Sequence, residues 1–230
     1  MDCQMKKSKG KAVGVIFGLI IFLLPALCHP QGQGKGERVV PLQKVAVLPF
    51  LNIKPEPPDQ RVVKGLWGNF FFRTGELPSR AGSEVATIFH RQLKDLGRCE
   101  LIPLDYAMAA AEGVDPTAFS KDPIGVAARI GRDLGVYAVV IGGVYRFEQR
   151  QGSALGVQSP ASAAFDVHLI QVADKKVLWS GRFDETQHSL SENALKITSF
   201  LKGGAQWVTV ERWVEIGVES KLRDFPTLVR

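Results

Sequence analysis

The segment from Ala164 to Glu185 (AFDVHLIQVADKKVLWSGRFDE) constrains the fold more than any other, because both of its arms alternate apolar and polar side chains. One face takes the apolar set, which is Phe165, Val167, Leu169, Val177, Trp179, Gly181 and Phe183. The opposite face takes the polar set, which is Asp166, His168, Ser180, Arg182 and Asp184. A period of two is typical of strands with one buried and one solvated face, so the segment predicts a β-hairpin.

The link Asp174-Lys175-Lys176 between the two arms is polar and short, as a hairpin turn requires. The alternation fails at Ile170 and Val172, which leaves the register beside the turn open. An isolated hairpin is only marginally stable in water, so a third strand or a helix must cover its apolar face.

Three other segments predict strands. Lys44–Phe50 is almost continuously apolar, which is typical of a central strand covered on both faces, and Pro49 ends it. Glu100–Leu104 predicts a short strand, and Val136–Phe147 is the most strongly β-forming stretch. The doublet Gly142-Gly143 predicts a bulge or a close packing site, because no phosphate-binding glycine motif surrounds it.

The predicted helices carry apolar residues at intervals of three and four. The first has its apolar stripe at Val85, Ile88, Phe89, Leu93 and Leu96, with Ser79 or Ser83 as its cap and Gly97 at its end. The others are Asp105–Glu112, Ile124–Leu134 after Pro123, a short helix around Glu192–Phe200, and a C-terminal helix of about 15 residues marked by Trp207, Val210, Trp213, Val214, Gly217 and Leu222. In chain order the predicted elements alternate strands with helices, and the hairpin near the C-terminus is followed by a helix.

Residues 51–80 predict an irregular loop, because prolines and glycines interrupt them throughout. Within them lies an apolar cluster made of Leu66, Trp67, Phe70, Phe71 and Phe72. Two interpretations stay open. The cluster either folds back as a lid on the core, or it forms an exposed patch that binds a protein partner or a lipid surface.

Residues 1–28 predict a signal peptide. A lysine-rich start precedes the apolar run Ala12–Leu24, which is about as long as a secretory hydrophobic region and too short to span a bilayer comfortably. Cys28 either occupies the last position before ordinary cleavage at His29, or it resembles the lipidated cysteine of a bacterial lipoprotein, from which Leu27 departs. Residues 29–42, rich in glycine and glutamine, predict a flexible tether, residues 43–225 a single domain, and residues 226–230 a tail.

Catalytic, metal-binding and cofactor-binding motifs are not found in the sequence. The histidines have no zinc-ligand spacing, and no nucleophile-elbow motif is present. Cys99 opens an apolar strand, which favours a buried, inert thiol. Lysines before residue 12 account for much of the net charge of +6, and no basic stripe interleaved with aromatics indicates nucleic-acid binding. We therefore expect no metal, no cofactor, no nucleic-acid partner and no enzymatic activity.

Three motifs resemble signatures of a known family: Lys44–Phe50 (KVAVLPF), Leu134–Val144 (LGVYAVVIGGV) and Val167–Phe183 (VHLIQVADKKVLWSGRF). They are similar to the curli-secretion lipoprotein CsgG and its relatives, which include lipoprotein activators of penicillin-binding proteins and the N-terminal domain of the Tol-system propeller protein. The resemblance covers about residues 40–225. It implies an α/β fold, in which a mixed β-sheet has helices packed on its faces and a C-terminal hairpin is followed by a helix. It also implies a domain in the Gram-negative periplasm, usually lipid-anchored, that acts in binding and assembly.

The leading hypothesis is an exported, outer-membrane-associated, non-enzymatic protein that binds a cell-envelope partner through residues 51–80, with self-association also open. A ring- or pore-forming subunit of the curli type is the first alternative, although Gln149–Pro160 is too short for a membrane-spanning hairpin. A periplasmic enzyme that uses Asp166, His168, Arg182 and Asp184 is the second. The competing interpretation of those four residues is a cross-strand charge network on a solvated sheet.

Overall fold

The computed structural model of the protein describes residues 41–153, 157–188 and 207–229. The predicted signal peptide, Cys28, nearly all of the predicted tether and the predicted helix around Glu192–Phe200 lie outside these ranges. The described strands are β1 (Lys44–Val47), β2 (Leu51–Asn52), β3 (Val62–Lys64), β4 (Phe71–Arg73), β5 (Glu100–Leu101), β6 (Ala138–Glu148), β7 (Gln151–Gly152), β8 (Val157–Ser159), β9 (Ser162–Gln171) and β10 (Val177–Thr186). The described helices are α1 (Ala81–Leu96), α2 (Leu104–Ala111), α3 (Pro116–Lys121), α4 (Pro123–Asp133) and α5 (Val210–Leu222).

Six of the described strands form one mixed sheet. Its order is β10-β9-β6-β1-β5, and β2 continues beside the second half of β6. Strand β1 runs parallel to both of its neighbours, β5 and β6, whereas β9 pairs antiparallel with both β6 and β10. Helices pack on the faces of this sheet, so the predicted α/β fold with a mixed sheet is confirmed.

The hairpin predicted from Ala164 to Glu185 is β9 and β10. Phe165 pairs with Phe183 and Asp166 with Arg182, and the register shifts between Val177 and Trp179, next to the turn. The prediction of a solvated polar face is wrong for β9, where Asp166 and His168 are each only 2% exposed. Strand β9 lies between β6 and β10 and is buried on both faces, because a second layer covers the polar side as well.

Helices α1 and α5 cover the first face of the sheet. Their apolar stripes join the inward side chains of β1, β6, β9 and β10 in one large core that includes Phe89, Phe165 and Trp213. Trp213 also donates its indole N–H to the carbonyl of Glu185, 3.0 Å away. Helix α5 begins at Val210, so Trp207 precedes the helix and the prediction that it lies on the stripe is wrong.

The ends of α1 are stabilised partly as predicted. Gly97 ends the helix in the left-handed conformation at φ 66°. Neither Ser79 nor Ser83 caps the N-terminus, and this part of the prediction is wrong. The Asn52 side chain, in strand β2, caps this end of the helix, since its Oδ1 accepts a hydrogen bond from the Gly82 N–H at 2.9 Å.

Two separate elements cover the second face of the sheet. Helices α2, α3 and α4 pack over one part, on Val139, Ile141 and Ile170. The β3–β4 hairpin covers the other part, on Tyr145 and Ala164. The polar residues of β9 therefore lie between two covering layers instead of facing water.

The glycine doublet in β6 is a close packing site. A Cβ on Gly142 would lie 2.4 Å from a ring carbon of Phe50 and 2.6 Å from the carbonyl oxygen of Asp166. The register shift of β6 against β9 lies between Val144 and Arg146 rather than at the glycines. Of the two predictions for the doublet, close packing is confirmed and a bulge at the glycines is wrong.

Candidate partner-binding site

Residues 62–73 fold into a small antiparallel hairpin, β3–β4, where the sequence predicted an irregular loop. Val63 pairs with Phe72, and both side chains are buried against the sheet. The alternate positions Val62, Lys64, Phe71 and Arg73 therefore belong to the outward face, since successive side chains of a strand point to opposite sides. The hairpin covers the sheet with one face and presents the other face to solvent.

An aromatic stack holds the hairpin on the sheet. The rings of Phe72 and Tyr145 lie 4.0 Å apart between centroids, with an angle of 3° between their planes. Phe72 is fully buried, so its ring packs on the sheet and is not part of the exposed surface of the hairpin. It performs the lid role, which was the other interpretation of the aromatic cluster.

A buried polar network holds the same hairpin at its turn. The Leu66 N–H donates to the Tyr145 hydroxyl at 2.7 Å and to Asp166 Oδ2 at 2.9 Å. The Tyr145 hydroxyl donates to Asp166 Oδ2 at 2.8 Å, and the Gly143 N–H donates to Asp166 Oδ1 at 2.9 Å. Burial raises the pKa of Tyr145 far above its ordinary value, and the neighbouring Asp166 carboxylate adds to that shift. The phenol therefore stays protonated and can donate its hydrogen bond.

Arg146 fixes the strand end of the hairpin. Its guanidinium donates to the carbonyl of Arg73 at 2.9 Å and to Asp184 Oδ1 at 2.9 Å. The Nε–H donates to the Ser162 hydroxyl at 2.6 Å. Because the Arg146 side chain is almost fully buried, these partners are needed to compensate its desolvation.

The turn and outward face of the hairpin expose three large aromatic side chains. Trp67 is 46% exposed, Phe70 48% and Phe71 60%, whereas Leu66 is half-buried. The guanidinium of Arg182 lies 5.3 Å from the ring centroids of both Phe70 and Phe72. Exposed aromatics on an element with fixed geometry are typical of a binding surface.

An open groove runs beside this turn. Residues 64–69 form one wall and residues 120–124, where α3 meets α4, form the other. Its volume is about 770 Å³. No local sequence signal indicates this groove, because its two walls are far apart in the chain.

The four polar residues considered as an acid/base cluster do not form one network. Asp166 belongs to the network at Leu66, and Asp184 pairs with Arg146. Arg182 is exposed beside the aromatic rings. His168 Nδ1 lies 2.8 Å from the Ser180 hydroxyl, and its Nε2 lies 3.4 Å from Asp166 Oδ2. With His168 2% exposed, a substrate cannot reach its ring, so the geometry does not favour the enzyme alternative.

Other candidate chemistry is limited in the described part of the chain. Cys99 is buried, and desolvation raises the pKa of its thiol to about 11, which disfavours the reactive thiolate. Within residues 41–153, 157–188 and 207–229, no group of three or more histidine, cysteine or acidic side chains could hold a metal ion. None of the helices in these ranges is both long and apolar enough to cross a membrane.

Comparisons with known proteins give likeness in fold only. No protein-family model matches the chain, and no curated protein matches its sequence. Similar solved structures include the lipoprotein GNA1162 from Neisseria meningitidis, with 14% identity, a TM-score of 0.44 and coverage of 71% of this chain and 98% of that one. The PelC dodecamer from Paraburkholderia phytofirmans has 16% identity, a TM-score of 0.45 and coverage of 82% and 89%. The LpoB C-terminal domain from Escherichia coli has 15% identity, a TM-score of 0.38 and coverage of 66% and 87%.

Proposed function

We propose that this chain is an exported, non-enzymatic cell-envelope protein that acts as a binding or assembly factor for an outer-membrane or periplasmic partner. In this proposal the β3–β4 hairpin is the partner-binding element. It works in the periplasm, in association with the outer membrane of a Gram-negative bacterium.

The observation that carries the proposal is the contrast between the two faces of the hairpin. Its inner face is fixed by the Phe72–Tyr145 stack and by the hydrogen bonds of Asp166. Its outer side exposes Trp67, Phe70 and Phe71. A preorganised surface loses little conformational entropy on binding, and large aromatics contribute much of the energy at protein interfaces.

The burial of the polar side chains supports a binding role over catalysis. Asp166 and His168 are closed off from solvent, and the thiol of Cys99 is buried with a raised pKa. A general acid or base has to reach a substrate within hydrogen-bond distance, and these groups contact only other parts of the chain.

Export and anchoring belong to the proposal through residues 1–28. The proposed mature chain begins either at lipidated Cys28 or at His29, and residues 43–225 form the binding domain behind a tether. Mass spectrometry of the mature N-terminus separates a diacylglyceryl-modified Cys28 from a free His29. A mature protein that retains residues 1–28 would contradict the export proposal.

Capture of partners from a cell-envelope extract tests the binding role. The double variant Trp67→Ala/Phe71→Ala should lose the captured protein, while Tyr106→Ala should retain it. Tyr106 is a matched control because it is a 67% exposed aromatic on α2, a different element. Circular dichroism must show both variants folded, since loss of folding in the double variant would favour the lid interpretation. Unchanged capture by a folded double variant would overturn the proposed site.

A further inference from the structure

The partner-binding hairpin carries positive charge without acidic residues. Residues 61–73 contain Arg61, Lys64 and Arg73, and neither aspartate nor glutamate. All three side chains are exposed. In the described part of the chain none of them forms an ion pair. Their charges are therefore available to a partner.

The opposite wall of the groove adds to this charge. Lys121 is exposed and forms no ion pair with any described residue. The acidic neighbour Asp122 is occupied locally, because its carboxylate caps α4 by accepting the Gly125 N–H at 2.9 Å. The positive end of the α4 dipole offsets part of its charge. Lysines thus stand on both sides of the groove.

Between these lysines the groove offers apolar side chains. Leu66 and Trp67 line the hairpin wall, and Pro123 and Ile124 line the helical wall. An open groove of about 770 Å³ has room for side chains of an extended polypeptide, and concave sites with apolar lining and a few placed polar groups are typical of ligand binding. Shape and charge together select an acidic segment with apolar anchors.

We propose that this groove binds an extended polypeptide segment of the partner, in which carboxylates contact Lys64 and Lys121 and a bulky apolar side chain packs against Trp67 and Pro123. This inference rests on the proposed function and names the chemistry of the partner at the same site. The aromatic residues of the turn supply affinity, and the two lysines supply preference for an acidic segment.

A random peptide library displayed on phage is the probe that tests it. Peptides selected on the wild-type protein should be enriched in aspartate and glutamate together with leucine or aromatic residues. A synthetic copy of the strongest binder should bind about tenfold more weakly to Lys64→Glu/Lys121→Glu, and its binding should weaken as salt rises. The control Lys94→Glu/Lys176→Glu changes two other exposed lysines and should bind as wild type. Failure to select any peptide, or selection without acidic enrichment, would overturn the inference.

Two further measurements separate this inference from its competitors. If the charge-reversed variant does not fold, Lys64→Gln/Lys121→Gln and the salt dependence of the wild-type protein replace it. Sedimentation with phosphatidylglycerol vesicles and with phosphatidylcholine vesicles tests a lipid surface; binding to the anionic vesicles that is lost in Trp67→Ala would overturn the peptide assignment.

If envelope capture depends on Trp67 and Phe71 but not on the lysines, the proposed function stands and this inference fails. If capture depends on neither, both fail.

Discussion

Two covers of the central sheet, the α1–α5 helix pair and the β3–β4 hairpin, are held by different physical means. On the first face, helices α1 and α5 pack through aliphatic and aromatic side chains such as Phe89, Val214 and Trp213. On the part of the second face that helices α2, α3 and α4 do not cover, the β3–β4 hairpin buries Val63 and Phe72 and is held by hydrogen bonds at both of its ends. The first cover depends on buried apolar area, and the second depends on directional contacts.

This difference indicates that apolar burial by the helices stabilises the fold, whereas hydrogen bonds set the position of the hairpin. Apolar burial is roughly proportional to area and does not specify orientation closely, so helices α1 and α5 stabilise the fold mainly through the area that they bury. A hairpin with three residues per strand buries too little surface to be fixed in that way. Hydrogen bonds from Leu66 and to Arg73 define its position, and its remaining aromatic side chains stay exposed.

The largest expected effect is on the helical cover. Phe89→Ala removes a fully buried ring that packs near Phe50 and Trp179, and it should lower the free energy of unfolding by about 3–5 kcal/mol. Urea denaturation followed by circular dichroism measures the loss. The matched variant Phe89→Leu keeps most of the volume and should lose much less. A loss below 1 kcal/mol for alanine would contradict the claim that this face carries the stability.

A smaller but more local effect is expected at the polar network. Asp166→Ala leaves the buried N–H of Gly143 and the Tyr145 hydroxyl without their acceptor and removes one of the two acceptors of the Leu66 N–H, which should cost about 2–3 kcal/mol. Amide hydrogen exchange should accelerate in residues 62–73 more than in α1. Asp166→Asn keeps one acceptor oxygen and should lose less. Equal acceleration in both covers would argue against a separately held hairpin.

Tyr145→Phe should have the third largest effect, about 1 kcal/mol near pH 7, because it removes one hydroxyl and keeps the ring that stacks on Phe72. The pKa of Tyr145 is raised in the folded state. The contribution of its hydroxyl to the free energy of unfolding is therefore complete below the ordinary tyrosine pKa, and it is lost as the pH rises from that value towards the raised pKa of the folded state. The stability difference between wild type and variant should therefore narrow above about pH 10. A difference that widens there would show that the phenolate is favoured.

Sequence periodicity was sufficient to predict the elements that bury one apolar face. The alternation in β9 and β10 and the stripe of α1 both reflect contacts that repeat along one element. The same alternation did not reveal what covers Asp166 and His168. A polar side chain that faces water and one that faces a distant backbone N–H give the same pattern. Here the partner of Asp166 is Leu66, 100 residues earlier in the chain.

The aromatic cluster in the sequence indicated where the candidate site lies, but not which of its side chains are exposed. Phe70, Phe71 and Phe72 are chemically identical neighbours, and only the pairing of Val63 with Phe72 decides which ring is buried. Strands β3 and β4 are too short for a period to be recognised. The groove requires residues 64–69 and 120–124 to meet, which is a tertiary contact without a local signal. Composition indicated a functional region, and the fold determined which of its residues are available.

The smallest stability effect is expected on the outward side of the hairpin. It tests most directly whether the hairpin covers the sheet with one face and presents the other face to solvent. Phe71→Ala should change the free energy of unfolding by less than about 0.5 kcal/mol, because 60% of this residue is already exposed. Its neighbour Phe72→Ala should cost several times more, since that ring is fully buried on Tyr145. Thermal and urea denaturation of the two variants compare adjacent, identical side chains on opposite faces of one strand. Similar losses for both would mean that Phe71 is packed rather than presented, and the outward face would then be part of the cover instead of a binding surface.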